Sequence, residues 1–328
     1  MSSKKPRMRP PWFLTTTGVC VLMSMASLAD QEQPTKPASS ATQVVLLGSG
    51  SPPADPDRSG PATAIVVNGT PYLIDFGAGV VRRAKAAVAD RGIAALEPTN
   101  LRVVFLTHMH SDHTVGYPDL ILTPWVLGRR VPLEVYGPAG LKDMTTHILE
   151  AYRVDFESRS KQYEEGLYSV GSFPEGHKVN AHEIKPGVVY KDANVTVTAF
   201  PTKHTMESYG YRFDAPDRSI VISGDTNPTQ ATIDACNGCD ILIHEVLTHD
   251  WLSRRPDFAN YAARYHTTTT QLSELATKAK PRLLVLYHAS IALRPVVDNQ
   301  RSRPEVLLTE ITAHYSGQVV VGRDLDVY

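Results

Sequence analysis

The chain has 328 residues, enough for one or two domains. Its 33 lysines and arginines nearly balance 34 aspartates and glutamates, and no block of like charge is visible. An extended nucleic-acid-binding surface is therefore not predicted, and a small substrate is favoured. With only three cysteines, the sequence also excludes a scaffold held together by many disulfides.

The first 29 residues have the composition of a cleavable export signal. Basic residues at positions 4–9 precede an apolar run at 12–28, and small residues flank a cleavage position after Ala29. The alternative is a membrane anchor, but the run is short and is interrupted by threonines, so no stable anchor is expected. Residues 30–42 are predicted to be a flexible lead-in. We therefore expect a periplasmic or secreted protein whose folded domain comprises residues 43–328.

The folded domain opens with strands. Residues 44–47 form a short apolar run, and residues 64–67 and 72–75 flank the turn dipeptide Asn68-Gly69. Apolar side chains at helical spacing then predict a helix over about 80–90.

Strands and helices alternate in the remainder of the chain. Buried strands are predicted over 101–106, 219–223 and 283–287, because these runs are short, apolar and rich in β-branched residues. A half-buried strand is predicted over 195–200, where apolar and polar side chains alternate. Thr268 and Gln271 have the spacing of a capping box that opens a helix ending before Pro281. This alternation predicts an α/β layered domain.

Two segments have no single interpretation. Residues 150–182 show no sustained period, and we interpret them as an insertion near the mouth of the site, a plain surface loop being the alternative. Cys236 and Cys239 are the only cysteines beyond the leader. Their spacing fits a redox pair, half of a zinc site or simply small buried side chains, and a local disulfide is compatible with export.

The run His108-Met109-His110-Ser111-Asp112-His113 has the spacing of a metal-binding loop. Zinc binds histidine nitrogen, carboxylate oxygen or thiolate in a roughly tetrahedral arrangement, and a catalytic site keeps one position for water. After a strand, His108 and His110 can address one metal while Asp112 and His113 address a second. A surface loop without ligands is the disfavoured alternative.

Three further polar residues follow predicted strands and are candidates to complete the set: His204, Asp225 and His288. Each alone fits a buried structural residue or a turn equally well. An acidic residue between two cations offsets their mutual repulsion, which favours Asp225 as a shared ligand.

Together these motifs resemble the metallo-β-lactamase superfamily, in the branch that contains ribonuclease Z and an exported group of arylsulfatases. The resemblance runs from about residue 44 to the C-terminus. Its motifs are Gly48-Ser49-Gly50, Leu73-Ile74-Asp75-Phe76-Gly77, the run 108–113, His204, Ser208-Tyr209-Gly210-Tyr211-Arg212, Ser223-Gly224-Asp225-Thr226, His244-Glu245, His266-Thr267-Thr268 and His288. It implies a four-layered αββα sandwich with metals at one edge of the packed sheets.

The resemblance also implies the ligand sets. One zinc is held by His108, His110 and His204, and the other by Asp112, His113 and His288. Asp225 bridges the two ions, and Asp75 lies behind the histidines, where a carboxylate can orient them. The implied cofactors are two Zn²⁺ ions, although other divalent metals accept similar ligands.

The chain departs from ribonuclease Z in one respect. Members of that family usually carry a long flexible arm, used to hold tRNA, between the Tyr-Gly-Tyr-Arg and Gly-Asp-Thr segments. Here only residues 213–222 separate the two segments. With the balanced charge and the export signal, this departure leads us to expect a small anionic ester as substrate and no nucleic acid. A homodimer is compatible with the resemblance, but the sequence does not indicate one.

These features predict an exported dinuclear zinc hydrolase that attacks a phosphodiester or aryl sulfate with a metal-bridging hydroxide. Asp112 is expected to help orient the nucleophile or accept its proton, and His266 to assist the leaving group. His266 precedes a predicted helix start, however, where the helix dipole disfavours an imidazolium. A lactonase or other carbonyl-ester hydrolase is the alternative activity, and a metal-dependent binding protein is the non-enzymatic one. A supporting role for His244 and Glu245 stays open.

Overall fold

The computed structural model describes residues 42–167, 173–291 and 303–328. The predicted export signal and the lead-in up to residue 41 lie outside these ranges. Within them, no helix has the length and apolar character needed to cross a bilayer.

The first sheet has six strands in sequential order, antiparallel from β1 to β3 and parallel from β3 to β6. Its strands are β1 (Thr42–Gly48), β2 (Ala62–Val67), β3 (Thr70–Ile74), β4 (Val103–Phe105), β5 (Leu133–Gly137) and β6 (Val179–Glu183). The turn between β2 and β3 places Asn68 and Gly69 at φ 49° and 78°. Positive φ at both positions is what a tight hairpin requires, and Asn-Gly supplies it.

The second sheet has seven strands, in the reverse order from β13 to β7. They are β7 (Gly187–Lys191), β8 (Thr196–Pro201), β9 (Tyr209–Asp214), β10 (Ser219–Ile222), β11 (Ile241–Glu245), β12 (Leu283–Tyr287) and β13 (Val319–Val321). Strands β7 to β10 pair antiparallel, and β10 to β13 pair parallel.

Ten α-helices connect or cover the strands in the described part of the chain. They are α1 (Val80–Arg91), α2 (Ser111–Thr114), α3 (Tyr117–Val126), α4 (Leu141–Ala151), α5 (Arg153–Glu164), α6 (Gln230–Cys236), α7 (His249–Ser253), α8 (Pro256–Tyr265), α9 (Thr269–Ala279) and α10 (Pro304–Thr312). The predicted capping box of Thr268 and Gln271 is present at the start of α9.

Three buried clusters define four layers. Because side chains alternate between the two faces of a strand, Val44 and Leu46 of β1 point to one cluster while Val45 and Leu47 point to another. The middle cluster lies between the two sheets. The outer clusters join the first sheet to α1, α3 and α4, and the second sheet to α6, α9 and α10. The predicted αββα sandwich is confirmed.

The segment interpreted as an insertion contains α5, on which no residue is buried. Phe156 of α5 and His177 contact the ring of Trp125 on α3, at centroid distances of 5.2 Å each. The described residues of 150–182 do not line the cavity beside the predicted metal ligands. Their interpretation as an insertion stays a prediction.

Candidate metal centre

The first four predicted metal ligands follow the carboxyl end of β4. His108 and His110 are in the loop after this strand, and α2 places Asp112 and His113 one turn further on. The short helix is held against the loop after β3, where Phe76 N donates to His113 O over 3.0 Å. Gly77 permits this approach, because a Cβ there would lie 2.6 Å from Asp112 O. The first sheet thus contributes four of the predicted ligands.

The second sheet contributes the other three, from residues that follow β8, β10 and β12. These are His204, Asp225 and His288. His288 has a φ of 49°, a conformation that a non-glycine residue adopts at a cost and that is concentrated at functional sites. The strand-end pattern seen in the sequence therefore places the residues of both sheets at one edge of the sandwich.

One group of possible ligand atoms comprises those of His108, His110, His204 and Asp225, all within 4.8 Å of one another. Nδ1 of His110 lies 3.0 Å from Nε2 of His108 and 3.1 Å from Nε2 of His204. Two ligand nitrogens on a tetrahedral zinc are about 3.3 Å apart, given Zn–N distances near 2.0–2.1 Å. The three imidazoles therefore have the spacing that a shared metal requires.

A second group comprises Asp112, His113 and His288. Nε2 of His288 lies 3.3 Å from Nε2 of His113 and 3.1 Å from Oδ2 of Asp112. Two imidazoles and a carboxylate are a ligand set that suits zinc and several other divalent metals.

Asp225 lies between the two groups. Its Oδ1 is 3.4 Å from Nε2 of His113 and 3.4 Å from Nδ1 of His288. Its Oδ2 is 4.0 Å from Nε2 of His108. Oδ1 is buried and has no hydrogen-bond partner among the described residues. A buried carboxylate oxygen without a partner is costly unless a cation binds it, so the site fits a metal-bridging role for Asp225.

Asp75 supports the cluster from behind, as the resemblance implied. Its Oδ2 lies 2.8 Å from Nδ1 of His113, which leaves Nε2 of that ring for a metal. Thr107 donates to the same carboxylate through its backbone nitrogen, over 2.8 Å, and through its hydroxyl, over 3.0 Å. A carboxylate in this position fixes the tautomer and the orientation of a ligand histidine.

The protonation states also suit metal binding. Burial lowers the pKa of His108 well below its ordinary value and that of His204 to about 4, so both rings are neutral with a free lone pair. Burial alone would raise the pKa of Asp225, but His288 and His113 hold it well below the usual range. Neutral imidazoles and an ionised carboxylate are the forms that bind metals.

His266 pairs with Glu245, whose role the sequence alone leaves open. Nδ1 of His266 lies 2.9 and 3.0 Å from the two carboxylate oxygens of Glu245. Burial lowers the pKa of His266, but the Glu245 carboxylate raises it to a net value of about 9. The expectation that a helix dipole disfavours the imidazolium omitted this carboxylate. It also omitted the C-terminus of α8, because that helix ends at Tyr265, directly before His266.

Glu245 could have been found by the rule that found the ligands, because it ends β11, the strand between β10 and β12. It is fully buried, and its Oε1 also accepts from Thr226 N over 2.7 Å. His244 is buried as well, but its Nδ1 lies 2.7 Å from the Glu245 carbonyl oxygen, inside the fold.

A cavity of about 420 Å³ opens beside the cluster. Its lining includes five of the residues described above: His110, Asp112, Asp225, His288 and His266. Its other walls include Pro52, Leu247, Trp251, Phe258 and Tyr261. The aromatic part of this lining was not predicted from the sequence.

Comparison with known proteins agrees with this architecture. A family described as "Beta-lactamase superfamily domain" matches residues 70–289. Ribonuclease Z of Mycobacterium sp. (strain KMS) is 33% identical over 270 residues, covering 79% of this chain and 87% of the relative. Ribonuclease Z of Mycobacterium bovis is 30% identical over 289 residues, covering 86% and 96%.

Solved structures show the same fold at lower identity. Human tRNase Z, short form, is 22% identical with a TM-score of 0.61, covering 87% of this chain and 98% of its own. The metallo-β-lactamase fold protein YhfI from Bacillus subtilis is 18% identical with a TM-score of 0.62, covering 88% and 99%.

These relatives contradict the expectation of a small anionic ester substrate and no nucleic acid, because the similar proteins are ribonucleases. The expectation relied on the balanced charge, the leader and the short connection between β9 and β10. Those features bear on how and where a substrate is held, whereas the bond that is cleaved depends on the residues around the metals.

The family match covers most of the folded part of the chain, and relatives at 30% identity or more cover most of its length. The two-sheet sandwich and the His/Asp cluster agree with these matches. The chain therefore belongs to the metallo-β-lactamase superfamily of hydrolases, in the branch of the ribonuclease Z proteins.

Proposed function

We propose that this protein hydrolyses phosphodiester bonds in RNA with the help of two divalent metal ions, zinc first among them. The observation that carries the proposal is the pair of adjoining ligand groups that meet at Asp225, together with His266 in the same cavity wall, which is paired with the buried Glu245. The ribonuclease Z relatives support the choice of RNA over other esters.

The chain supplies ligands for both ions. His108, His110 and His204 would hold one, Asp112, His113 and His288 would hold the other, and Asp225 would contact both. Bound there, two divalent cations lower the pKa of a water molecule and neutralise charge on the phosphoryl oxygens.

Asp112 is placed to manage the proton of the attacking water. Its carboxylate lines the cavity, and its Oδ2 is held 3.1 Å from Nε2 of His288. As a bond forms between the water oxygen and phosphorus, the carboxylate can orient that water and accept its proton.

His266 is placed to complete the reaction on the leaving side. With Nδ1 bound to Glu245, the other ring nitrogen remains for the substrate in the cavity. When the P–O bond breaks, the leaving oxygen takes the proton of that nitrogen, and a carboxylate behind the ring stabilises the imidazolium before the transfer. Glu245 acts through His266 and is therefore a positioning residue.

The test measures metal content and turnover in the same preparation of purified protein. The substrates are a structured RNA with a single-stranded 3′ extension, bis(p-nitrophenyl) phosphate, p-nitrophenyl sulfate and a homoserine lactone, and His110→Ala is the comparison variant. We expect about two zinc ions per chain and metal-dependent cleavage of the RNA. His110→Ala should lose metal and activity together.

Other outcomes would contradict the proposal in different ways. Opening of the lactone without cleavage of either phosphodiester would assign the protein to carbonyl-ester hydrolysis. Sulfate release alone would assign it to the arylsulfatase-like activity that the sequence resemblance also suggested. Folded protein that binds no metal would refute the metal mechanism.

We further propose that the protein is exported and acts in the periplasm or outside the cell. The leader over residues 1–29 is one support, and the disulfide between Cys236 and Cys239 is another, because such bonds persist in oxidising compartments. Cell fractionation and N-terminal sequencing test this proposal. A mature N-terminus near residue 30 in the exported fraction is expected, and an uncleaved cytoplasmic chain would refute it.

A further inference from the structure

Three aromatic side chains line the same cavity as the metal ligands and have no part in the chemistry described above. Trp251 belongs to α7, and Phe258 and Tyr261 belong to α8. We call these three residues the aromatic wall.

The rings of the aromatic wall contact one another and reach the reaction centre, but they are not coplanar. Trp251 and Phe258 meet edge to face at 75°, and Phe258 and Tyr261 are tilted by 49°. The centroids of Trp251 and Phe258 are 5.1 Å apart, and those of Phe258 and Tyr261 are 4.9 Å apart. Tyr261 and Phe258 lie 5.5 and 6.0 Å from the imidazole of His266. A flat group stacked on the face of Phe258 or Tyr261 would therefore lie beside His266, the residue proposed to serve the leaving oxygen.

The aromatic wall differs from an ordinary packed core. Trp251 is buried and forms a small cluster with Leu247 and Ala262, which gives the wall a rigid base. Phe258 and Tyr261 are only half-buried, so part of their ring surface is open to the cavity. Exposed aromatic surface beside a dense group of charged and polar side chains is typical of a site that binds a flat apolar ligand.

The cation at the edge of the wall fits the same kind of ligand. The guanidinium of Arg255 lies 5.6 Å from the ring centroid of Trp251 and 5.9 Å from that of Phe258. The guanidinium donates two hydrogen bonds to Asp257, from Nε to Oδ1 over 3.2 Å and from Nη2 to Oδ2 over 3.0 Å. Planar cations and aromatic rings together are a common surface for stacking nucleic-acid bases.

We propose that the aromatic wall stacks one unpaired base of the RNA, on a nucleotide that flanks the scissile phosphodiester. This inference rests on the proposed function, because it names how that substrate is held. A base can stack on protein rings only when it is not paired in a duplex, so the substrate is cut at a single-stranded position. Every base has a flat π face, and recognition by the wall therefore tolerates differences in sequence.

The experiment uses the metal-loaded protein and three short RNAs that differ in one feature. One is intact, and the other two lack the base on the 5′ or the 3′ side of the scissile phosphate. We compare kcat/KM for the wild type with Phe258→Leu and Tyr261→Leu, which keep apolar volume and remove a ring. Phe156→Leu is the matched control, because Phe156 is a half-buried ring on α5 outside the cavity.

Loss of one of the two bases should lower kcat/KM of the wild type by roughly five- to 150-fold, the range that stacking energies of about 1–3 kcal/mol per base give. In Phe258→Leu and Tyr261→Leu, the ratio of kcat/KM for the intact RNA to kcat/KM for the RNA that lacks this base should fall towards one. The metal content of both variants should stay unchanged. Phe156→Leu should keep the wild-type ratio. Equal cleavage of all three RNAs by the wild type would overturn the inference, as would variants that discriminate like the wild type.

A second measurement separates failure of this inference from failure of the proposed function. Binding of adenosine monophosphate and of ribose 5-phosphate is followed by fluorescence of Trp251, with Trp251→Phe to identify its signal. The nucleotide should bind at least about five-fold more tightly than the sugar phosphate, and Phe258→Leu should remove the difference. If no RNA is cleaved, this preference still supports base stacking, and equal binding of the two ligands refutes it.

Discussion

Asp75 lies behind the predicted metal ligands, and its backbone has a φ of 60°, which is unusual for a residue with a side chain. Its carboxylate is buried and is shared between His113 and Thr107. Such a conformation persists only where the surroundings hold it, and here they direct one carboxylate oxygen at the ring of a ligand histidine.

We therefore expect Asp75→Asn to weaken metal binding at the site of His113 by about 10–100-fold, the usual effect of removing a carboxylate behind a ligand. The side chain keeps its shape but loses the charge that orients the imidazole. Competition with a chelator of known zinc affinity measures the change. Asp214→Asn, on an ion pair with Arg212 away from the metals, is the control and should bind zinc as the wild type does. Unchanged zinc affinity in Asp75→Asn would contradict the role assigned to Asp75.

His266 supports a prediction that separates proton donation from simple packing. His266→Ala should reduce RNA cleavage by about 10²-fold or more, because loss of a general acid costs 10²–10⁴-fold. The activity of His266→Ala on bis(p-nitrophenyl) phosphate should fall much less, since nitrophenolate leaves without protonation. Glu245→Gln should show the same pattern more weakly.

Steady-state kinetics on both substrates, with zinc content measured in parallel, checks the prediction for His266. An equal loss on the two phosphodiesters would assign His266 to the architecture of the site. A loss that follows zinc content would assign it to metal retention. Either result would remove it from the leaving-group step.

The structure brings together the seven residues that the sequence predicts as metal ligands. The run 108–113 stands out by its spacing, and His204, Asp225 and His288 stand out because each follows a strand. Glu245 obeys the same rule, but a carboxylate next to a histidine also fits an ordinary strand end. What distinguishes it is the contact with His266, which lies 21 positions further on. A contact between residues this far apart in the sequence depends on how two strands and a helix pack together. No local sequence pattern predicts it.

At the level of elements, the start of α7, the helix that carries Trp251, is held by a residue distant in sequence. Glu310 of α10 accepts from the backbone nitrogens of His249 and Asp250, over 2.8 and 3.0 Å, and from the hydroxyl of Thr269 over 2.6 Å. A carboxylate at this position satisfies free N–H groups at the start of the helix and complements its dipole. It thereby joins α7, α9 and α10.

Glu310→Ala should consequently lower the free energy of unfolding by about 1–2 kcal/mol, the usual cost of a lost cap or charge-assisted hydrogen bonds. KM for RNA should rise, because Trp251 moves with α7, while zinc content stays the same. Thermal unfolding and steady-state kinetics measure the two effects. Glu274→Ala, an exposed change in the middle of α9, should alter neither. A wild-type KM in a destabilised Glu310→Ala would show that α7 is held by other contacts.

Helix α8 shows what sequence reasoning missed at this scale. Its inward side chains Phe258, Tyr261, Ala262 and Tyr265 recur at the helical spacing of i, i+3, i+4 and i+7, and Pro256 stands at its first turn. The helix could have been predicted. That it forms the wall of the metal cavity could not, because the position of a helix on a sandwich depends on packing that its own pattern does not encode.

For the whole molecule, the alternation of elements and the resemblance together gave the four layers correctly. The edge strands were less predictable. β6 and β7 have mostly exposed side chains and lack the apolar runs of the inner strands. Such segments adopt the strand conformation because they pair with a neighbouring strand, and their own side-chain pattern does not indicate that pairing.

The metals should also contribute to the stability of the whole sandwich, because their predicted ligands come from both sheets. The run 108–113 follows a strand of the first sheet, whereas His204, Asp225 and His288 follow strands of the second. Ligands that bind only the folded state stabilise it by mass action, by about 4 kcal/mol per site when free metal exceeds the dissociation constant 1,000-fold. Without metals, the buried Oδ1 of Asp225 is left without a partner among the described residues.

Removal of zinc with a chelator should therefore lower Tm by roughly 5 °C or more per site, and re-addition of zinc should restore it. His110→Ala, which lacks a ligand of one group only, should unfold between the metal-loaded and the metal-free wild type and respond less to the chelator. Calorimetry with zinc analysis of each sample makes the comparison. If metal-free protein unfolded at the temperature of the loaded protein, the two sheets would be held by their shared apolar core alone. The metals would then serve the reaction without contributing to the stability of the fold.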